Sequence, residues 1–440
     1  MFLQDVAKPV FDIAKTELFE KLEKAFIIFY LILFSRGIAA LILTGGASEG
    51  DSSGDFDFGI LTLFWMLNYV ITAGLFIVKW DAVKDRLVPI IFNNYFYWIF
   101  LMFIMLSTIW SERPDETFKA SVGMVGTVMF GVYIVSRYKL QEQIKLLTLF
   151  FGIVIGLSIL MVFVPGYGID PGKHAGAVRG IYTHKNIFGP IATLSCSTFL
   201  IYFKTSFCEN KKLAYLGFLT SFALVVASRS SSSLLYTVLL VALIHSIAIL
   251  RLSGQLFAWA LAGFAALYFF VTTWWNAIFT YILGLLGRDA TLTGRTDIWD
   301  VVTEKIQERL WLGYGFDGFW HGIYGESQYV RNALRWNLPN SHNGFLDLTL
   351  GIGIIGFALL LLTLWVTFIK NIAILRNKFA WAYTWPLAYI FYMSMINMSE
   401  SSLAIQNNIQ TILMTICIAS VSVEFDGLFG HDEYKQSSIQ

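Results

Sequence analysis

Residues 291–356 read TLTGRTDIWDVVTEKIQERLWLGYGFDGFWHGIYGESQYVRNALRWNLPNSHNGFLDLTLGIGIIG, and the fold is decided where this stretch changes character. Up to Asn340 it is the long polar interval of an otherwise oily chain. It then passes through Ser341-His342-Asn343 straight into a hydrophobic run. A chain that keeps so many residues out of lipid, and returns through a histidine, is expected to work at that mouth.

The rest of the chain supplies the lipid. Of 440 residues, 56% are hydrophobic, 17% aromatic and only 14% charged, against about 25% charged in soluble domains. Mean hydropathy is +0.63. Apolar runs near the length needed to cross a bilayer recur from end to end, which predicts an all-α polytopic membrane protein. Twelve spans are expected, near 25–44, 59–79, 87–110, 117–137, 143–165, 185–204, 212–228, 233–250, 256–275, 343–369, 380–398 and 402–423. Residues 1–24 space Leu3, Val6, Val10, Ile13, Leu18 and Leu22 among lysines, as an interfacial amphipathic helix would. The organisation expected is therefore 1–24 interfacial, 25–275 with nine spans, 276–342 a large loop, 343–423 with three spans, and 424–440 a tail. The opening MFLQDVAKPV lacks a basic n-region and a clean apolar core, so internal spans are expected to direct insertion.

Basic residues set the orientation. Lys79, Lys84, Arg86, Arg137, Lys139, Lys145, Lys204, Lys211, Lys212, Arg251, Lys370, Arg376 and Lys378 all fall in alternate short loops, whereas GASEGDSSGDFDFG is acidic. Both termini are thus expected in the cytoplasm and the 276–342 loop outside, in the periplasm of a Gram-negative cell. Within that loop Ile298, Val302, Ile306 and Leu310 recur at helical spacing behind Thr296. This predicts a short helix over 297–310 lying with one face packed down.

A net charge of +1 gives no case for nucleic acid. Three scattered cysteines suggest neither a disulfide framework nor a metal cluster. No P-loop, hydrolase triad or metal-ligand spacing is present, and no cofactor is expected. The informative residues are charged or imidazole groups at the outer ends of spans, where lipid penalises them: Arg179, His184, Lys185, Arg229, Arg288, Arg295, His342 and Glu400. Guanidiniums hold phosphate in a planar fork, and a neutral imidazole can take a proton from a hydroxyl. Such a cavity suits a pyrophosphate-linked substrate and a hydroxyl acceptor. The duller alternatives are headgroup contacts for Arg179 and Lys185, a span-end cap for Arg229 and a bond to a neighbouring backbone carbonyl for His184. Arg36 is taken as structural, paired with an acid of the first outer loop. Gly351, Gly353 and Gly356 are read as allowing close helix packing.

His342-Asn343, nine residues, Gly353, two residues, Gly356 resembles the His-Asn-x9-Gly-x-x-Gly signature of the O-antigen ligase and polymerase superfamily. GRTDIW (294–299) with WLGYGFDGF (311–319) resembles the opening of its outer loop, and SRS (228–230) its short-loop arginine. RGIYTHKNIFG (179–189) and WSERPDETF (110–118) are most similar to the exopolysaccharide polymerase branch. The resemblance implies twelve spans of GT-C-like architecture in the bacterial inner membrane. It implies a donor oligosaccharide on undecaprenyl pyrophosphate and a glycan or lipid A–core acceptor. Transfer would be metal-independent and inverting. Arg229 and Arg295 match the arginines that hold the pyrophosphate, with Arg179 beside them. His342 matches the general base, and His184, Lys185, Asn343 and Glu400 would support the site. Polymerisation of exopolysaccharide or O-antigen repeats is the first reading, and ligation to lipid A–core or protein the second. A glycan or lipid transporter, the alternative of another class, would be expected to show internal repeats, and none is evident.

Overall fold

The computed structural model describes residues 16–37, 59–172, 174–247, 295–320, 325–335 and 338–437, with side chains to 429, besides isolated positions at 43 and between 254 and 269. The amphipathic pattern of residues 1–15, the acids of the first outer loop, the ninth expected span, Arg288 and His321 lie outside the described residues. Among the described residues the regular structure is helical, with a single isolated bridge between Ile169 and Val178. The described residues thus have the all-helical architecture of a polytopic membrane protein. Among the described residues six helices are long and apolar enough to cross a membrane, or seven if one bent pair forms a single span.

In chain order the helices are α1 Glu17–Phe34, α2 Gly59–Val78, α3 Trp80–Phe92, α4 Tyr95–Leu106, α5 Pro114–Arg137, α6 Leu140–Val162, α7 Lys185–Lys204, α8 Lys211–Ala227 and α9 Ser231–Ser246. Then follow α10 Arg295–Glu308, α11 Ser327–Leu334, α12 Gly344–Asn377, α13 Thr384–Ile396 and α14 Ile409–Ser437. The inner members of the bundle are α5, α7 and the first half of α14, whose apolar faces are mostly buried. α5 packs on α2, α3 and α14, and α7 packs on α6, α8, α9 and α13. Small residues let the helices close up. A Cβ at Gly126 would lie 2.4 Å from the Tyr69 ring, and one at Gly217 2.5 Å from Phe199.

Several expected spans are corrected. The run 87–110 is not one straight helix: α3 and the segment from Tyr95 to Ile109 are bent 82° apart at Asn93–Asn94. Pro89 inside α3 supplies no N–H to the helix ladder. Asn94 Nδ2 donates to the Ile90 carbonyl at 2.8 Å and Trp98 Nε1 to the Ile91 carbonyl at 2.9 Å, so side chains satisfy the freed end. The last helix begins at Ile409, not 402, because residues 397–408 form a polar loop. Arg36 is structural, and its guanidinium donates to the Asn407 and Gln406 carbonyls at 3.2 and 3.1 Å. Its expected partner in the first outer loop is outside the described residues.

α12 departs furthest from expectation. It is broken at Ile352 and Gly353, where Gly353 takes φ 63° and ψ −175°. The broken ladder is satisfied by the polar interval. Ile354 N–H donates to the Leu310 carbonyl at 2.8 Å, and Tyr314 N–H to the Leu350 carbonyl at 2.8 Å. Gly353 is required on two counts, its positive φ and the approach of Trp311, whose carbonyl oxygen would lie 2.2 Å from a Cβ there. The glycines read as packing aids therefore make a break into which residues 310–314 dock.

The polar interval is folded down. Ile298 and Val302 are fully buried and Ile306 nearly so, with Val330 of α11 and Leu350 of α12. Leu310 is the exception at 40% exposed, because the chain turns away at Gly313 and Gly315, both at positive φ. The 311–319 segment also binds the residues after α4. Trp110 Nε1 donates to the Leu312 carbonyl at 2.9 Å and Glu112 N–H to the Tyr314 carbonyl at 3.2 Å, while Arg309 pairs with Glu112. The WSERP and WLGYGFDGF stretches are thus one joint.

Candidate active site

The site is built where three polar loops meet at one end of the bundle. Asn343 is the N-cap of α12, its Oδ1 accepting from Phe345 N–H and Leu346 N–H at 3.1 and 3.2 Å. Immediately before it His342 sits at φ 52°, in the left-handed region. Such a conformation costs on the order of 1–3 kcal/mol and persists only where the surroundings impose it. They do: Asn340 Oδ1 accepts from His342 N–H at 2.9 Å, and Trp299 Nε1 donates to the Ser341 carbonyl at 3.1 Å. The sequence fragments GRTDIW and SHN are joined by that indole.

The second loop, 397–402, is bonded to the first. Gly344 N–H donates to the Asn397 carbonyl at 2.9 Å, and a Cβ on Gly344 would lie 2.0 Å from Asn397 Oδ1. Asn397 Oδ1 in turn accepts from Ser402 N–H at 2.9 Å. This brings Glu400 beside His342, with Oε2 3.6 Å from Nδ1. Its other oxygen accepts from Arg295 Nη2 at 3.2 Å and from Asn186 Nδ2 at 3.1 Å. Arg295 Nη1 also donates to the Ser399 carbonyl at 2.5 Å, and Tyr236 and Ser399 share a hydroxyl bond of 2.8 Å. The side chains of Arg295, Glu400 and His342 are 20%, 18% and 25% exposed, open enough to meet a ligand and enclosed enough to be held.

The third loop leads into α7. His184 is its N-cap, with Nδ1 accepting from Asn186 N–H at 3.1 Å. Burial, with His174 packed edge-on at 5.2 Å, pushes this imidazole down to about 4, so it is neutral at physiological pH. The imidazole is thus engaged by a backbone N–H, not by the backbone carbonyl expected from the sequence. Lys185 Nζ reaches the Arg229 carbonyl at 3.4 Å. Consecutive residues of α7 thus touch both arginine positions, Lys185 at Arg229 and Asn186 at the Glu400–Arg295 pair. Arg229 itself is exposed, at φ 51°, with Nη1 on the Ala175 carbonyl at 3.2 Å. It lines an open groove of about 500 Å³ with Val225, Val226, Ser230, Ser231 and Leu234.

Arg179 is the correction. It is fully buried, and its guanidinium donates to the carbonyls of Tyr167 at 2.7 Å, Gly166 at 2.9 Å and Thr183 at 3.0 Å. It staples the 166–183 loop and does not face a ligand. Asn186, Asn397 and Asp347 were missed by sequence reasoning. Asp347 carried a usable signal, since it is an acid inside an apolar span. Among the described residues no group of three His, Cys, Asp or Glu side chains is placed to hold a metal ion.

Residues 216–361 match the family model described as O-antigen ligase. The exopolysaccharide production protein ExoQ of Rhizobium meliloti (strain 1021) is 24% identical over 315 residues, which is 66% of this chain and 68% of its own length. A Rickettsia conorii (strain ATCC VR-613 / Malish 7) protein, provisionally named a polysaccharide ligase, is 36% identical over 96 residues, 21% of this chain and 23% of its own. The matched stretch contains Arg229, Arg295 and His342.

Proposed function

We propose that this chain belongs to the O-antigen ligase family and is a glycosyltransferase of the bacterial inner membrane. It would move an oligosaccharide from undecaprenyl pyrophosphate to a glycan hydroxyl at the periplasmic face, polymerising exopolysaccharide or O-antigen repeat units. The observation that carries this reading is Glu400, whose carboxylate accepts from a guanidinium and lies 3.6 Å from the imidazole of His342 in one half-open site. With the Nδ1 proton facing Glu400, the Nε2 lone pair of His342 is left to accept the proton of the acceptor hydroxyl. The hydroxyl oxygen attacks the anomeric carbon as the bond to the pyrophosphate breaks on the opposite face, so the centre inverts. Undecaprenyl pyrophosphate leaves with the bonding electrons, and the proton remains on His342.

Arg295 and Arg229 would meet the charge that grows on the leaving pyrophosphate, the task a divalent ion performs elsewhere. Donor phosphate would compete with Glu400 for Arg295. The groove at Arg229 has an apolar wall of Val225, Val226 and Leu234 on which a polyprenyl tail can lie. Arg179 supports the site by holding the loop that carries Ala175, not by binding phosphate. Transfer to lipid A–core is the second reading, favoured by the family description and by the name of the Rickettsia relative.

The test is turnover by purified protein given undecaprenyl-pyrophosphate-linked glycan. A positioned base contributes roughly 10²–10⁴-fold, so His342→Ala should lose that much while donor binding and thermal stability hold. Recovery of turnover in His342→Asn or His342→Gln, which keep a hydrogen bond but no base, would remove His342 from the chemistry.

A further inference from the structure

Five residues beyond His342 the apolar helix α12 carries one acid, Asp347, in its first turn. Capping does not account for it, because Asn343 already accepts from the first free N–H groups of this helix. Its carboxylate gathers three separate segments. Oδ1 accepts from Trp320 Nε1 at 2.8 Å and from Ser341 N–H at 3.1 Å. Oδ2 accepts from the Ser401 hydroxyl and lies 3.3 Å from Ser341 N–H. Ser341 directly precedes His342, and Ser401 directly follows Glu400. One carboxylate therefore holds the chain neighbours of both members of the pair, with the polar interval tied in through Trp320.

We infer that Asp347 is a positioning residue that fixes His342 and Glu400 relative to each other. The inference rests on reading His342 as the base. Two loops from distant parts of the chain supply the imidazole and the carboxylate, and helix packing alone leaves their tips free to drift. A carboxylate can satisfy several donors at once because it offers only acceptor sites. An amide fits less well: Asp347→Asn keeps one oxygen and turns N–H groups toward the Ser401 hydroxyl, which must reverse its bond, and toward the Ser341 N–H, which cannot accept. A displacement of about 1 Å in a reacting group costs roughly 10²-fold in rate. None of these atoms belongs to Arg295 or Arg229, the groups proposed to meet the donor phosphates, so affinity for the donor should be largely spared.

The experiment measures kcat and donor KM for Asp347→Asn, with Ser401→Ala and Trp320→Phe as variants that keep the carboxylate and delete one donor each. The expected result is a fall in kcat on the order of 10–100-fold for Asp347→Asn, with KM changed less than about threefold. Smaller losses of the same kind are expected for Ser401→Ala and Trp320→Phe. Combined with His342→Ala, Asp347→Asn should cause no further loss of the residual rate, because its effect passes through the imidazole. Wild-type kcat in Asp347→Asn overturns the inference, as does an additive loss in the double variant. If Asp347→Asn does not fold, Ser401→Ala and Trp320→Phe decide alone: KM rising in step with the rate loss, or no loss at all, overturns it. Full turnover in His342→Ala would instead reject the base, a separate failure.

Discussion

Two of the residues singled out from sequence, His342 and Arg229, have left-handed backbones, at φ 52° and 51°. Sequence patterns register residue type and spacing, so Arg179 and Arg295 looked equivalent as guanidiniums at the ends of spans. The structure separates them by what fills their donor sites: Arg179 has backbone carbonyls from its own loop, and Arg295 has a carboxylate that a phosphate can replace. From this follows a prediction of geometry. Arg295→Lys and Arg229→Lys should each lower turnover by about tenfold or more, since an ammonium cannot reproduce a bidentate contact. Near-normal kinetics in both lysine variants would make them surface charges. A second prediction concerns His184, which titrates near 4 in the fold against 6.5 when free. Between those values the unfolded chain takes up a proton that the folded one refuses. Stability is therefore lost as pH falls from about 6.5 toward 4, with a slope of at most about 1.4 kcal/mol per pH unit. Thermal midpoints across that range should fall for the wild type and stay flatter for His184→Asn, which retains an N-cap oxygen.

Among the elements, hydropathy made the long helices legible, because burial in lipid needs only a sustained apolar run. It did not reveal the breaks. The Gly351–Gly356 repeat carries no information on φ, and the bonds that make the break tolerable come from residues 310–314, some forty positions earlier. From Ile354 to Asn377 α12 has 24 residues, about 36 Å of helix and enough to cross the hydrocarbon alone. The turns from Gly344 to Ile352 are thus free to carry Asn343 and Asp347 as part of the site. Gly353→Ala should combine an unfavourable positive φ with overlap against the Trp311 carbonyl, costing on the order of 2–4 kcal/mol. Gly156→Ala in α6, where a Cβ meets nothing within 4 Å, is the matched control and should be neutral or slightly stabilising. Equal unfolding midpoints for the two variants in detergent would mean that the break is not held by the docked segment.

At the scale of the molecule, one joint binds the polar interval to the bundle from several directions. Trp110 and Glu112 hold the 312–314 backbone, Trp299 holds Ser341, and Trp320 holds Asp347. The interval was legible as a folded-down layer from its Ile298, Val302 and Ile306 face. That the WSERP stretch would clasp it was not, since contacts across two hundred residues leave no local periodicity. A polymerase draws donor and acceptor from one lipid-linked pool, so it needs no second substrate class. A ligase stays idle until lipid A–core is present. Purified protein incubated with undecaprenyl-pyrophosphate glycan alone should therefore yield a ladder spaced by one repeat unit. Adding lipid A–core should leave that ladder unchanged. EDTA should not alter it either, because the two arginines are proposed to meet the pyrophosphate charge. A product that appears only with lipid A–core, as one shifted band, would reject polymerisation and leave ligation as the activity of the same His342 site.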